Sequence, residues 1–144
     1  MVATELRVGN LINHGDKTIV VEDICKVGVN AEIDSYGHCD QIYYILWKDL
    51  NPIPLTHEWL IKLGFHDNDY KTGYIGIDVC HTDFVLTKPE NEDASHAGFY
   101  RWVYIQGKVH LLKRIQYVHD LQNLFYAITG EELKLKNNEK VDSV

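Results

Sequence analysis

The stretch FYRWVYIQGKVHLLKRI, residues 99–115, consists of two strand-like runs on either side of a glycine. Such a pattern predicts a β-hairpin with a two-residue turn at Gly107-Lys108, because glycine accepts the backbone angles of the first turn position. In that register Arg101 lies directly opposite Arg114. Like charges that face each other across two strands repel unless an anion lies between them. The hairpin is therefore both a predicted sheet element and a candidate binding site.

Further short strands are predicted on the N-terminal side of this hairpin. Their β-branched and aromatic residues, separated by Gly, Asn and Ser, are typical of strands joined by tight turns. The segments are RVGNLINHGDKTIVVEDI (7–24), KVGVNAEI (26–33), IYYILW (42–47), YIGIDV (74–79) and DFVLT (83–87). Within the second segment Asn30 is read as a turn signal. The first three segments favour a small, strongly bent sheet or SH3-like barrel half.

Two helices are predicted from their end signals and apolar spacing. In NPIPLTHEWLIKLGF (51–65), Thr56 is suited to cap a helix of about two turns, and Gly64 is suited to the left-handed position after it. In YVHDLQNLFYAITGEEL (117–133), apolar residues recur at helical spacing and Gly130 ends the pattern. The apolar face comprises Tyr117, Val118, Leu121, Leu124, Phe125 and Ile128.

The predicted fold class is α+β, with a small SH3-like β-barrel half followed by an antiparallel sheet packed on a C-terminal helix. Residues 1–66 form the barrel half with its short helix. Residues 67–133 form the sheet and the C-terminal helix, in one compact unit with the first part. Residues 88–98 are polar and aperiodic, which predicts a long exposed loop, and residues 134–144 are expected to form a flexible tail.

Composition excludes several classes of protein. The chain has 144 residues, 45% of them hydrophobic, which is enough for a buried core. A net charge of −7 argues against binding to long nucleic acid, which requires a cationic surface. No apolar run is long enough for a membrane helix, and the first residues show no signal-peptide pattern. Three cysteines without an export signal predict free thiols in a cytoplasm.

Charge is distributed unevenly along the chain. Residues 99–119 hold four cations and no acid, whereas the remaining residues hold ten cations and 21 acids. Arg forks bind phosphate, and an aromatic ring stacks on a base, so this segment suits a small nucleotide-like anion. The alternatives are that acids elsewhere pair with the cations and that the aromatic stripe is core. The predicted ligand-binding residues are Tyr100, Arg101, Trp102, Tyr104, His110, Lys113 and Arg114.

Catalytic and metal-binding patterns are weak. His38-Cys39 and Cys80-His81 lack the close cysteine pairs of structural zinc sites, so no metal or cofactor is expected. His81 and Asp83 share a strand face, as an acid–base pair requires, yet no nucleophile motif or phosphate loop accompanies them. The sequence therefore favours a protein without catalytic residues. A small phosphodiesterase or nuclease that uses His81, Asp83 or His110 remains an alternative.

Three segments carry a resemblance: ELRVGN (5–10), PIPLTHEWLIKLGF (52–65) and YVHDLQNLFYAITGEEL (117–133). Together they resemble a group of small proteins common in phages and prophages of Bacteroides-type bacteria. The resemblance implies a phage protein that acts in the cytoplasm of a bacterial host. It implies no catalytic residues, and it does not extend to residues 67–115.

The resemblance and the cation-rich hairpin together suggest a phage anti-defence protein. Such a protein binds and sequesters a nucleotide-derived immune signal, a cyclic nucleotide or a cyclic ADP-ribose isomer, without turnover. Small proteins of this kind are similar in building their pockets between subunits, so a homo-oligomer is expected. The other alternative is an interaction module that inhibits a host defence protein, which is expected to expose an apolar patch.

Overall fold

The computed structural model describes residues 5–32, 42–67, 74–79, 82–87, 100–105 and 108–136. Within these residues, strands form two five-stranded sheets whose described pairings are antiparallel, and two α-helices accompany them. The α+β class is therefore confirmed. Contacts divide the chain into two compact units. The first is Met1–Leu55 with Ile115–Glu132, and the second is Thr56–Arg114 with Leu133–Val144.

The first unit contains a curled sheet with the strand order β4-β3-β2-β1-β5. Its strands are β1 (Leu11–His14), β2 (Lys17–Cys25), β3 (Gly28–Glu32), β4 (Ile42–Leu46) and β5 (Leu50–Asn51). A short 3-10 helix, Trp47–Asp49, separates β4 from β5. Gly15, with φ +61°, permits the tight turn that pairs His14 with Lys17. The register shifts between Val21 and Asp23, and such irregularities bend a strand.

Alternation along these strands supplies the core of the first sheet. The buried residues are Leu6, Ile12, Ile19, Val21, Val29, Ala31, Ile45 and Leu50. Gly28 lies where β4 approaches β3 closely, since a Cβ built there would overlap the Ile45 carbonyl oxygen. Asn30, which the sequence suggested as a turn residue, instead pairs with Asp23 and Tyr44 inside the sheet.

Helix α2 (Val118–Thr129) belongs to the first unit. It ends at Gly130, whose φ of +73° confirms the predicted left-handed C-cap. Leu121 and Phe125 on its predicted apolar face are buried. The predicted packing of this helix on the second sheet stays a prediction. Gln122 Oε1 in α2 accepts a hydrogen bond from the Leu11 backbone N–H in β1 at 2.8 Å.

The segment before α2 is held by backbone hydrogen bonds to the proline-containing segment. Leu55 donates its N–H to the Gln116 carbonyl at 2.8 Å, and Val118 donates to the Ile53 carbonyl at 2.9 Å. Pro54 and Tyr117 form an isolated antiparallel bridge between them. Proline cannot donate to a sheet ladder, so this pairing stays short.

The second unit begins with helix α1 (His57–Lys62). Thr56 accepts a hydrogen bond from the Trp59 N–H at 3.3 Å, which confirms the predicted N-cap. Gly64, with φ +93°, confirms the predicted left-handed position after the helix. Phe65 then packs edge-on against Phe84, with 6.2 Å between ring centroids.

The sheet of this unit has the order β10-β9-β8-β7-β6. Its strands are β6 (His66–Asp67), β7 (Tyr74–Val79), β8 (Thr82–Thr87), β9 (Tyr100–Ile105) and β10 (Lys108–Ile115). The four strands predicted between residues 74 and 115 are therefore confirmed. Strand β10 begins at Lys108, as the strand-like run KVHLLKRI predicts, and residues 106–107 before it lie outside the described residues.

The C-terminal segment is described as far as Lys136. Leu133 is buried, and the Lys136 N–H donates to the Lys62 carbonyl at the end of α1 at 2.9 Å. That carbonyl is one of the groups that a helix end leaves without an intrahelical partner. The predicted loop at residues 88–98 and the rest of the predicted tail lie outside the described residues.

Candidate functional site

The seven predicted ligand-binding residues lie on two adjacent strands of the second sheet. Strand β9 holds Tyr100, Arg101, Trp102 and Tyr104, and strand β10 holds His110, Lys113 and Arg114. Among the described strands, β10 forms one edge of the sheet. The side chains of these seven residues and the pairing register between the two strands lie outside the description, so the Arg101–Arg114 pair stays a prediction.

The register between β8 and β9 assigns positions to the two faces of the sheet. Tyr104 pairs with Val85, and Trp102 pairs with Thr87, while Val103 between them pairs with Leu86. Opposed positions share a face and successive positions alternate. Leu86 is fully buried, whereas Val85 is half-buried. The positions of Trp102 and Tyr104 therefore share the less buried face, which we call the aromatic face.

The same register divides the predicted ligand-binding residues of β9. Tyr100 alternates with Trp102 and so shares the aromatic face by position. Arg101 shares the opposite face with Val103, in line with the buried Leu86. The predicted ligand-binding positions of β9 therefore do not all share one face, since Arg101 lies opposite to Tyr100, Trp102 and Tyr104.

A glycine completes one row across the aromatic face. Gly76 in β7 pairs with Val85 in β8, which pairs with Tyr104 in β9. A Cβ built on Gly76 lies 3.1 Å from Val85 Cγ2, so Val85 leans over the glycine. A larger residue at Gly76 is expected to displace Val85 and disturb the row next to Tyr104.

The two predicted histidine–cysteine pairs, His38-Cys39 and Cys80-His81, lie outside the described residues. Asp83, the predicted acid–base partner of His81, lies in β8. In the described part of the chain, no three His, Cys, Asp or Glu side chains are close enough to hold a metal ion. Neither helix in that part is long and apolar enough to cross a membrane.

A second polar constellation, not anticipated from the sequence, surrounds the chain's first turn. We call it the turn cluster; its members are Arg7, Asn10, Gln122, Asn123 and Glu132. Gly9, with φ +90°, makes the turn possible. Asn10 Oδ1 accepts from the Arg7 N–H at 2.7 Å, and its Nδ2 donates to Asn123 Oδ1 at 3.0 Å. Asn10 and Gln122 are fully buried, so their amides must be satisfied within the fold.

The charge of Arg7 is paired inside this cluster. Its Nη2 lies 2.7 and 2.9 Å from the two carboxylate oxygens of Glu132. Its guanidinium carbon also lies 4.0 Å from the centre of the Tyr126 ring, within cation–π range. Because Glu132 already neutralises Arg7, the turn cluster stabilises the fold by holding the turn to α2 and the residues after it, and it is a poor site for an anion.

His119 in α2 is a buried titratable group of the first unit. Its ring stacks parallel to Tyr117 with 5.6 Å between centroids, and its Nε2 lies 3.6 Å from Asp120 Oδ1. Its Nδ1 is buried and has no hydrogen-bond partner among the described residues. Burial lowers the pKa of His119, although the negative charges of Asp120 and Glu5 act in the opposite direction.

Cys25 is the cysteine that the structure describes, and it lies at the hairpin between β2 and β3. Its Sγ is 3.4 Å from Tyr44 Oη and 3.1 Å from the Gly28 carbonyl oxygen. The hydrogen bond with Tyr44 lowers the pKa of the Cys25 thiol and raises the pKa of the Tyr44 hydroxyl. No second cysteine lies beside it in the described residues.

In the first unit, the segments ELRVGN (5–10) and PIPL (52–55) each form hydrogen bonds with residues at or next to the segment YVHDLQNLFYAITGEEL (117–133). The turn of ELRVGN is bonded to α2 through Asn10, and the PIPL part of the second segment is bonded to the start of the third through Leu55. These hydrogen bonds give the segments a structural role in the first unit. Comparison of the chain with protein-family models, with curated proteins and with solved structures gives no match.

Proposed function

We propose that the chain binds a small nucleotide-derived anion through β9 and β10 and holds it without chemical turnover. The protein is then a phage anti-defence protein that sequesters an immune signal in the host cytoplasm. The ligand class is a cyclic nucleotide or a cyclic ADP-ribose isomer. Binding is stoichiometric, in a homo-oligomer, and requires no cofactor.

The observation that carries the proposal is the register of β9. It pairs Trp102 with Thr87 and Tyr104 with Val85, on the face opposite the buried Leu86. Aromatic residues that serve only as core are expected on the buried face, since burial of apolar area is what stabilises a sheet. Positions on the less buried face suit stacking on a planar base instead.

Charge adds a second line of support. The segment that contains β9 and β10 carries four cations without an acid, in a chain of net charge −7. These cations lie on two strands that are neighbours in the sheet, Arg101 on β9 and the other three on β10. Phosphate oxygens accept charge-assisted hydrogen bonds from Arg and Lys, so phosphates are expected to bind near the edge strand β10.

We also interpret the curled first sheet as an SH3-like barrel half. Four strands follow one another as a meander, a 3-10 helix follows β4, and β5 returns to pair with β1 at Asn13 and His14. An SH3-like barrel half does not by itself indicate a ligand, because one fold hosts many functions.

A thermal-shift screen tests the proposal. The panel contains cyclic dinucleotides, cyclic trinucleotides and cyclic ADP-ribose isomers. A ligand present at 100 times its Kd is expected to stabilise the protein by about 2.7 kcal/mol. After heat denaturation of the complex, mass spectrometry is expected to recover the ligand unchanged.

Matched variants connect binding to the aromatic face. Trp102→Ala is expected to weaken binding by about 1–3 kcal/mol if a base stacks at this position. Tyr126→Ala, which removes an exposed aromatic side chain in the first unit, serves as the control and is expected to leave affinity unchanged.

Conversion of the ligand to a product would favour the phosphodiesterase or nuclease alternative. Absence of stabilisation across the panel would overturn the proposal and favour the host-protein inhibitor.

A further inference from the structure

Strand β4 presents backbone hydrogen-bonding groups away from its sheet. It pairs with β3 in a continuous register from Gly28↔Leu46 to Glu32↔Ile42. The Trp47 N–H donates to the Val27 carbonyl at 3.2 Å, so Val27 and Trp47 are a hydrogen-bonded pair. Hydrogen-bonded and non-hydrogen-bonded pairs alternate along an antiparallel ladder, so Val29 and Ile45 form the next hydrogen-bonded pair. The N–H and C=O groups of Tyr44 and Leu46 therefore point away from β3.

Strand β4 also lacks the features by which sheet edges avoid pairing with another chain. Ile42–Leu46 contains no charge and no proline, and its register with β3 shows no bulge. The other edges of the two described sheets are protected. Strand β5 has two residues and precedes Pro52, β6 has two residues that include Asp67, and β10 carries Lys108, Lys113 and Arg114.

Apolar side chains accompany this edge. Tyr44 is 50% exposed and Leu46 is 38% exposed, and both lie on the face opposite the buried Ile45. Val27, in the adjacent turn, is 53% exposed. The patch therefore combines open backbone groups with apolar area that burial would stabilise.

We infer that β4 is an interface for a second copy of this chain, in which two β4 strands pair antiparallel across a two-fold axis. A second copy fits because the pairing is self-complementary and places an uncharged strand against itself. Two copies of net charge −7 repel each other, and this repulsion is weakest where an uncharged strand forms the contact, which favours β4. One five-residue strand buries less than a standard interface, so a dissociation constant in the micromolar range is expected. The inference stands independently of ligand binding.

Light scattering over a concentration series tests this interface with two matched variants. Leu46→Lys adds a charge at the edge, whereas Val20→Lys adds one at a residue of similar exposure, 40%, on the inner strand β2. The wild type and Val20→Lys are expected to approach twice the 16.7 kDa chain mass at about 100 μM, while folded Leu46→Lys stays at the chain mass. A wild type that remains at 16.7 kDa, or a Leu46→Lys dimer, overturns the inference.

Amide hydrogen exchange gives a test that requires no variant. The outward N–H groups of Tyr44 and Leu46 are expected to exchange at least about tenfold more slowly above the dissociation constant than below it. The Ile45 N–H, which is bonded within the sheet, is the internal control and is expected to be protected at both concentrations. Equal exchange of Tyr44 and Leu46 at the two concentrations contradicts pairing through β4.

Discussion

The turn cluster and the β9–β10 segment differ in whether their polar and charged groups have partners nearby. In the turn cluster, Arg7 is paired with Glu132, and the buried Gln122 satisfies backbone groups of Gly9 and Leu11. The β9–β10 segment gathers cations with no acid in the same stretch of sequence. The first arrangement stabilises the fold, and the second is suited to an external anion. Charged residues therefore indicate function mainly where the chain does not supply their counter-ions locally.

The largest effects are expected from the apolar face of α2. Leu121→Ala and Phe125→Ala are expected to lower the free energy of unfolding by about 2–5 kcal/mol each, because both side chains are buried. Urea titrations measure this difference. Tyr126→Phe, at an exposed neighbouring position, is the control and is expected to stay within about 0.5 kcal/mol of the wild type. Small changes for the two buried positions would mean that this face is an interface and does not belong to the core.

The next largest effect is expected at Gln122. Gln122→Leu retains the volume but removes the bonds to the Leu11 N–H and the Gly9 carbonyl. An unsatisfied buried backbone group costs about 1–3 kcal/mol, so the variant is expected to be destabilised by that amount. Thermal melts at neutral pH measure it. Wild-type stability in Gln122→Leu would show that the turn cluster does not hold the turn to α2.

The helix ends, the strands and the Gln122–Leu11 bond show which parts of the fold the sequence predicted. Thr56, Gly64 and Gly130 predicted the helix ends because capping is local and depends on a single residue. The β-branched and aromatic runs between turn residues predicted most strands, because this pattern is also local in the sequence. The bond from Gln122 to Leu11 was not predicted, because it joins residues far apart in the chain and leaves no periodic pattern.

The candidate site was predictable to a similar extent. The sequence assigned Tyr100, Arg101, Trp102 and Tyr104 to one strand, which the structure confirms. It could not determine pairing across strands, because a shift in the turn changes every opposed pair. The face occupied by Trp102 follows only from its pairing with Thr87.

A smaller, pH-dependent effect is expected from His119. Its pKa in the folded protein lies below the unfolded value of 6.5, mainly because burial disfavours the charged ring. The unfolded chain therefore binds more protons, and stability is expected to fall as pH decreases through 6.5 towards the folded pKa. His119→Phe removes this titration and can still stack on Tyr117. Melts from pH 7.5 to 5 are expected to show a steeper loss for the wild type, whereas parallel curves would contradict the assignment.

We expect the cations of β9 and β10 to serve a ligand and not the fold. Calorimetric titration of the wild type, Arg101→Ala and Arg114→Ala with the nucleotide identified in the screen, together with melts of each ligand-free protein, distinguishes these two roles. A charge-assisted hydrogen bond contributes about 1.5–3 kcal/mol, so each variant is expected to bind at least about tenfold more weakly. Both ligand-free variants are expected to be as stable as the wild type or slightly more so. Loss of ligand-free stability with unchanged affinity would contradict the claim, because it would mean that both arginines pair with acids of the fold.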